Sequence, residues 1–357
     1  MSNNTGSLYY ASFIPGLQEF IAETARERLH DAVVHRLLDG AILFETSITY
    51  DRFNFLCFNN IFVVADLMEH TVGDEALEAH IHTVIRNGIS PVAEQVIARN
   101  SAKFRTFRIV ISRENTPAAI DEKLRLGAEQ YIARLSGLKV DRARPDAEFW
   151  FLYRDDHQPE SALTGRQFSV FMKRLTMRPS WEKSLHPGEL PPPLAWTLCR
   201  LGNLKHGDIV LDPFCGYGSI PHAALKFFHI TQCIACDSNE KAAAYTAARH
   251  KNRPADFALH KADFRSLANL LPPHSVDAII TAPPWGHYQE LPVTQLYEDM
   301  FHVFDLLLKT DGRVIILGDR TDTLIQAAGN RFTALQNIPI LLSGKKAAIY
   351  SLRRLIP

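Results

Sequence analysis

The chain has 357 residues, of which 46% are hydrophobic and 22% are charged, and its 39 basic side chains balance its 39 acidic ones. This composition excludes a mostly disordered chain, and no apolar run reaches the ~18 residues that a membrane-spanning helix needs. The polar N-terminus lacks the pattern of a secretory signal and the five cysteines are scattered, so we expect a cytoplasmic protein of two or three domains without a disulfide scaffold.

The charge is unevenly distributed along the chain. Residues 1–85 carry four basic and twelve acidic side chains, a balance of −8, whereas residues 86–145 carry twelve basic and six acidic ones, a balance of +6. A basic segment in a neutral chain is typical of a surface that contacts a phosphate backbone. A solvated helix face with scattered Lys and Arg gives the same count, so charge alone leaves both interpretations open.

The periodicity of the first 158 residues predicts two small α+β modules, at residues 1–65 and 66–158. In the first module we expect a strand at 8–13, a helix at 16–29, and strands at 41–45 and 54–64. In the second we expect helical structure at 74–100, a strand at 104–112, a helix at 118–135 and a strand at 149–154.

Residues 159–195 are predicted to be a linker, because the three consecutive prolines at 191–193 do not fit inside a helix or a central strand. In residues 196–357, strand-like and helical segments alternate, which is typical of a doubly wound α/β sheet with mostly parallel strands. The alternating segments are 209–212, 220–228, 233–237, 239–252, 257–261, 276–281, 296–308 and 312–318. Residues 332–355 are predicted to form two further strands as an edge hairpin.

A motif after the first strand of this sheet indicates a cofactor site. The strand ends in a carboxylate and the chain then turns through two glycines, which can adopt positive φ and approach a ligand closely. The residues of this turn are Asp212, Pro213, Phe214, Cys215, Gly216 and Gly218. The block resembles motif I of class I methyltransferases that use S-adenosylmethionine (SAM), in which this turn wraps the methionine part of the cofactor.

Two further acids follow the next two strands: Asp237, with Ser238 beside it, and Asp263, which precedes Phe264. An acid at the tip of the second strand can accept hydrogen bonds from both ribose hydroxyls of a nucleoside cofactor. The resemblance implies that Asp263 faces the adenine amino group and that Phe264 packs on the ring. Each acid alone is more often a helix cap, but acids on three consecutive strand ends favour a SAM site.

The four residues after the fourth strand carry the expected catalytic motif: Ala282, Pro283, Pro284 and Trp285. They resemble motif IV of amino-methyltransferases, which begins with Asp, Asn or Ser. The resemblance implies that a side-chain oxygen and the next carbonyl accept the two N–H bonds of the target amine, and that the aromatic ring stacks on an extruded base. Methyl transfer is then a direct displacement that depends on orientation.

The first position of this motif departs from the family, because Ala282 has no side-chain acceptor. The neighbouring Thr281 lies in a strand and is expected to point the other way. Losing a positioned acceptor costs about 10²–10³ in rate. Three interpretations stay open: another residue supplies the acceptor, the substrate differs, or the protein binds SAM and RNA with little transfer.

No metal site is expected from the cysteines and histidines. Cys233 and Cys236 have CxxC spacing, but they lie on one predicted strand with no second pair of ligands. His186, His222 and His287 lie near the expected site in sequence, without a visible partner.

The N-terminal half carries a further resemblance. Residues 13–19 resemble the Pro-Gly-Leu-Glu opening of enzymes that place a ferredoxin-like module and a THUMP domain before a methyltransferase, and residues 106–109, 137–141 and 145–149 are similar to the THUMP pattern. The resemblance implies binding of structured RNA, typically the acceptor end of tRNA, and methylation of N2 of a guanosine in tRNA. The residues expected to contact RNA are Lys103, Arg105, Arg108, Arg113, Lys139, Arg142 and Arg144. Amino groups of rRNA or DNA remain alternative substrates, and the oligomeric state is not predicted.

Overall fold

The computed structural model of the chain describes residues 6–70, 75–114, 116–155, 167–176, 185–285, 292–342 and 344–355. The chain divides into two compact units. The first comprises Met1–Phe13, Gln18–Phe53 and Phe58–Pro179, and the second comprises Ile14–Leu17, Asn54–Cys57 and Ser180–Pro357. None of the helices in the described ranges has the length and apolar character needed to cross a membrane.

The first unit is built on one mixed sheet with helices packed against it. Its strands are β1 (Ser7–Ser12), β2 (Val33–Leu38), β3 (Ala41–Thr46), β4 (Asn60–His70), β5 (Thr106–Arg113), β6 (Thr116–Pro117), β7 (Lys139–Val140), β8 (Ala147–Asp155) and β9 (Gln167–Arg174). Its helices are α1 (Gln18–Arg28), α2 (Ala76–Asn87), α3 (Pro91–Ser101) and α4 (Glu122–Ser136). The strand order is β2-β3-β1-β4-β9-β8-β5-β6, and β7 pairs with β5.

Several predictions for this unit differ from the structure. The strand predicted at 54–64 is β4 at Asn60–His70, and β2 at Val33–Leu38 is not among the predicted strands. The helical stretch predicted at 74–100 is two helices, because Gly88 ends α2 with φ 75° and Ser90 caps α3 by accepting the Ala93 N–H. The linker prediction is wrong for Gln167–Arg174, which is the central strand β9 with β4 and β8 on either side. Its apolar run is buried from both faces, a pattern that loops lack. The boundaries of the two modules stay a prediction, since one sheet runs through both.

The second unit is a doubly wound α/β sheet, as predicted. Its strands are β10 (Ile209–Asp212), β11 (Gln232–Cys236), β12 (Phe257–His260), β13 (Val276–Thr281), β14 (Leu308–Gly318), β15 (Phe332–Leu342) and β16 (Lys345–Arg354). Its helices are α5 (Pro192–Leu201), α6 (Ser219–Phe227), α7 (Glu240–Arg249), α8 (Leu267–Leu270), α9 (Val293–Leu307) and α10 (Thr321–Ala328). The strand order is β12-β11-β10-β13-β14-β16-β15, with parallel pairs from β12 to β14.

The chain folds this way because each helix buries one apolar face on the sheet. In α9, Leu296, Met300 and Phe304 recur every four residues and are all buried. The predicted edge hairpin is confirmed, since β15 and β16 pair antiparallel. The linker prediction is also wrong at the prolines, because Pro192 and Pro193 open α5, where the missing N–H is not needed.

The strand order reverses between β10 and β13, which are neighbours although β11 and β12 lie between them in sequence. Ligands of open α/β sheets bind beyond the carboxyl ends of the strands at such a reversal. The turn after β10 and the motif after β13 both begin there.

Candidate functional site

The turn after β10 is shaped by its two glycines. Gly216 and Gly218 have φ of 49° and 79°, in the left-handed region that favours glycine. A Cβ on Gly218 would lie 2.8 Å from Thr246, so no side chain fits there. The Thr246 hydroxyl donates to the Gly216 carbonyl at 2.8 Å, which ties the turn to α7.

Asp212 at the end of β10 is the most buried acid of the site, with 1% of its surface exposed. Its Oδ1 accepts a 2.8 Å hydrogen bond from the Thr281 hydroxyl, whereas its Oδ2 is buried without a hydrogen-bond partner among the described residues. Burial raises the pKa of Asp212 to about 7. The unmatched oxygen is therefore suited to a hydrogen-bond donor or a cationic group of a ligand.

Asp237, which follows β11, also stabilises the turn after β10. Its Oδ2 accepts the Gly216 N–H at 2.7 Å, and its Oδ1 accepts the Asn239 N–H at 2.8 Å. Each carboxylate oxygen can accept a second hydrogen bond. Ser238 beside it is exposed.

Asp263 and Phe264 lie at the end of β12 and differ in their surroundings. Asp263 is largely exposed and accepts hydrogen bonds from the Arg265 backbone N–H and guanidinium at 2.9 Å each. Phe264 is buried, and its ring lies 4.8 Å from that of Phe214 in the turn after β10. The pair forms an apolar wall at this edge of the sheet.

One small cleft brings the two predicted motifs together. Ala282 lines it with four residues of the first motif: Asp212, Phe214, Cys215 and Gly216. The remaining lining residues are Gly188, Glu189, Leu190, Tyr217, Ser219 and Ile220. Pro213 is buried next to this lining. Ala282 and Asp212 therefore line one space.

Sequence reasoning missed Glu189, which lies in the stretch predicted as a linker. Its side chain is 7% exposed and forms an ion pair with Arg249 at 3.2 Å. It also accepts hydrogen bonds from the His186 N–H at 3.1 Å and the Ser219 hydroxyl at 3.4 Å. An acid between Gly188 and a run of prolines carries no pattern that would have singled it out.

The motif after β13 is held by hydrogen bonds between side chains and backbone carbonyls, which link it to β14 and the residues after it. The Trp285 indole N–H donates to the Leu317 carbonyl at 3.3 Å, and Arg320 donates to the Trp285 carbonyl at 3.3 Å. Pro283 is buried and Pro284 is exposed. Thr281 is fully buried, and its hydroxyl donates to Asp212. That this hydroxyl points away from the Ala282 side of the strand stays a prediction.

The cysteines and histidines form no metal centre within the described ranges, where no group of three or more His, Cys, Asp or Glu side chains is suitably placed. Cys233 and Cys236 are buried in β11. The His186 ring stacks on Tyr217 at 4.0 Å. His287 lies outside the described residues.

The residues expected to contact RNA fall into two groups. Arg108 pairs with Glu148, Arg113 with Glu78, and Arg142 with Glu129 and Glu122. These hydrogen bonds and charges hold the pKa of Arg142 above its usual range. The others are exposed: Lys103, Arg105, Lys139 and Arg144.

Comparison with known proteins matches residues 179–340 to the family UPF0020, described as an RMKL-like methyltransferase domain. The chain is 31% identical over 155 residues to the tRNA (guanine(10)-N2)-dimethyltransferase of Methanothermobacter thermautotrophicus, covering 42% of this chain and 43% of that protein. It is 29% identical over 246 residues to the tRNA (guanine(6)-N2)-methyltransferase of Thermus thermophilus, covering 67% and 69%. The match thus spans less than half of the archaeal relative.

The solved structures add information on the fold. TrmN from Thermus thermophilus matches with a TM-score of 0.75 at 20% identity, over 98% of this chain and 100% of that chain. SMU.472 complexed with SAH matches with a TM-score of 0.66 at 14% identity, over 99% of each chain. At these identities the likeness establishes the fold. The family match adds that residues 179–340, less than half of the chain, are similar to the UPF0020 methyltransferase domain.

Proposed function

We propose that the protein is a SAM-dependent RNA methyltransferase that methylates the exocyclic N2 of a guanosine in tRNA. The proposal rests on the arrangement of residues at the carboxyl ends of four neighbouring strands. Asp212, Asp237 and Asp263 follow three neighbouring strands there, and residues 282–285 follow the fourth. The names of the relatives, which are tRNA guanine-N2 methyltransferases, support guanosine N2 as the acceptor.

The residues present fit a SAM molecule. Asp212, whose Oδ2 is buried without a hydrogen-bond partner among the described residues, and Glu189 both line the cleft, where their acidic side chains would stabilise a cationic ligand. Asp237 would accept hydrogen bonds from the ribose hydroxyls, with Ser238 beside it, and the wall of Phe214 and Phe264 would pack on the adenine. When bound, SAM supplies an electrophilic methyl group.

The residues after β13 would orient the acceptor. The amine of guanine is a weak nucleophile because its lone pair is delocalised into the ring. The Pro283 carbonyl, fixed by the two rigid prolines at 283 and 284, would accept one N–H bond and direct the lone pair towards the methyl group. Trp285 would stack on the extruded base.

The first unit would bind the RNA, in line with its resemblance to a ferredoxin-like module followed by a THUMP domain. The exposed residues Lys103, Arg105, Lys139 and Arg144 are the cations of the predicted set best able to reach phosphates. We infer that the partner is the acceptor end of tRNA in the cytoplasm.

The first experiment incubates the purified protein with methyl-labelled SAM and unmodified total tRNA, digests the RNA and identifies labelled nucleosides by mass spectrometry. We expect label in N2-methylguanosine. Label in a different nucleoside, or label only when rRNA or DNA replaces tRNA, would redirect the proposal to that substrate. SAM binding without any label would favour a SAM-binding RNA-binding protein.

Trp285→Ala is expected to lower the rate of methyl transfer by about 10- to 100-fold at unchanged SAM affinity, because base stacking is worth about 1–3 kcal/mol. The measurement is kcat/KM for tRNA beside a SAM titration. Trp285→Phe, which keeps an aromatic face, serves as the control and should retain most of the activity. A parallel loss of SAM affinity in Trp285→Ala would show that the indole, bonded to Leu317, supports the fold of the site instead.

A further inference from the structure

The first unit contains a cavity of about 430 Å³ that no part of the proposed transfer reaction uses. It lies beside α3, and strands β1, β4 and β9 also contribute to its lining. The lining residues that matter here are Tyr9, Tyr50, Arg99, Lys103, Phe104 and Lys173. A cavity of this size admits a small molecule or one unit of a polymer.

Lys173 is the unusual member of this lining, because only 1% of its surface is exposed. The strand register places it in a row of apolar and aromatic side chains across the sheet: Val63 pairs with both Tyr9 and Lys173, and Phe149 pairs with Lys173 on the other side. A lysine is almost never fully buried unless it is paired. Among the residues that the structure describes, its Nζ makes one hydrogen bond, a long one of 3.4 Å to the Arg174 carbonyl.

A second ammonium group contacts the same aromatic ring as the first. The Nζ atoms of Lys173 and Lys103 lie 4.6 Å and 5.4 Å from the centre of the same Phe104 ring. Burial and the charge of Lys103 lower the pKa of Lys173 to about 8. An anion bound next to both ammonium groups would offset the repulsion between their charges.

The carboxylates of the protein do not balance the positive charge of this cavity. Asp51 contributes one carboxylate to the lining, against the three cations Arg99, Lys103 and Lys173. Within the described part of the chain, no carboxylate lies at ion-pair distance from any of these three cations. The cavity therefore has an excess of positive charge with a buried donor at its base.

We propose that this cavity binds the phosphate group of a nucleotide. The phosphate would contact Lys173, Lys103 and Arg99, and the aromatic rings of Tyr9, Tyr50 and Phe104 would line the space for its base. The nucleotide is either free or part of an RNA. If the nucleotide belongs to an RNA, the proposal rests on the proposed function. If the nucleotide is free, the proposal is independent of that function, because binding in the cavity does not require methyl transfer.

The test compares the full-length wild type with Lys173→Met, which keeps the length of the side chain but removes its charge. Isothermal titration at low salt uses three probes: inorganic phosphate, adenosine 5′-monophosphate and a short single-stranded RNA. We expect wild-type protein to bind the nucleotide or the RNA, and the variant to bind roughly 10- to 100-fold more weakly, the effect of losing a charge-assisted hydrogen bond. RNA binding much tighter than nucleotide binding identifies RNA as the source, and equal binding identifies a free nucleotide.

Two more variants keep the test decisive. Arg99→Gln changes an exposed side chain of the cavity and is expected to fold even if Lys173→Met does not, with the same loss of binding. Lys123→Met changes an exposed lysine at the start of α4 and should bind like the wild type. The proposal is overturned if wild-type protein binds neither nucleotide nor RNA, if inorganic phosphate alone binds, or if both cavity variants bind like the wild type. SAM binding and methyl transfer are measured separately, so failure of the proposed reaction would be seen as lost transfer with cavity binding intact.

Discussion

The Asp212→Asn variant is expected to be more stable than the wild type at pH 8 and nearly equal to it at pH 4. An aspartate in the unfolded chain ionises near pH 3.8, whereas burial raises the pKa of Asp212 to about 7 in the folded protein. Between these values the folded protein retains a proton that the unfolded chain has released. The contribution of Asp212 to stability is therefore complete below pH 4, falls as the pH rises, and is lost above pH 7.

The size of this effect follows from the same pKa. A shift of about three pH units corresponds to about 4 kcal/mol at pH 8, with a slope of about 1.4 kcal/mol per pH unit between pH 4 and pH 7. The amide of the variant does not titrate, and its oxygen can still accept the hydrogen bond from Thr281. Urea unfolding of both proteins at a series of pH values measures the difference in the free energy of unfolding.

The control for this prediction is Asp322→Asn, which changes an exposed carboxylate of the second unit and should give no pH-dependent gain. If the stability difference between Asp212→Asn and the wild type is constant from pH 4 to pH 8, the pKa of Asp212 is not raised in the folded protein. The same variant should bind SAM roughly 10-fold or more weakly at pH 8, because a charged acceptor contributes more than a neutral one.

Sequence reasoning predicted more of the proposed cofactor site than of any other part of the site. Asp212, Asp237 and Asp263 are far apart in the chain, but each ends a strand of a parallel sheet or follows it within three residues. Carboxyl ends of parallel strands meet at one edge, so the alternation of strands and helices was sufficient to predict their common placement. The hydrogen bond from Gly216 to Asp237 is a direct product of this topology.

Other features depend on tertiary contacts that no local pattern encodes. Glu189 lies between residues typical of loops, and only the fold brings it beside Ser219 and Arg249. Lys173 ends an apolar run, and its burial follows from the register of β4, β9 and β8. Composition counts charges without their partners, so Arg108 contributed to a basic segment although it pairs with Glu148.

Ala282→Asn is expected to raise the rate of methyl transfer, which is the opposite of what most substitutions at a site do. Ala282 lines the cleft that Asp212 and Gly216 also line, so an amide oxygen at this position would enter the space expected for the acceptor. Thr281 does not supply the missing oxygen, because its hydroxyl is buried and donates to Asp212. One positioned hydrogen-bonding group in an active site is worth about 10²–10³ in rate.

The gain is measured as the single-turnover rate with saturating SAM and tRNA, so that binding does not enter. Ala282→Leu is the matched control, since leucine has the size of asparagine but no acceptor, and it should give no gain. If Ala282→Asn is no faster than the wild type while SAM binding is intact, a different group already holds the second N–H of the amine. The natural alanine would then be a full replacement for the usual motif IV residue, with the Pro283 carbonyl and that other group forming the acceptor pair.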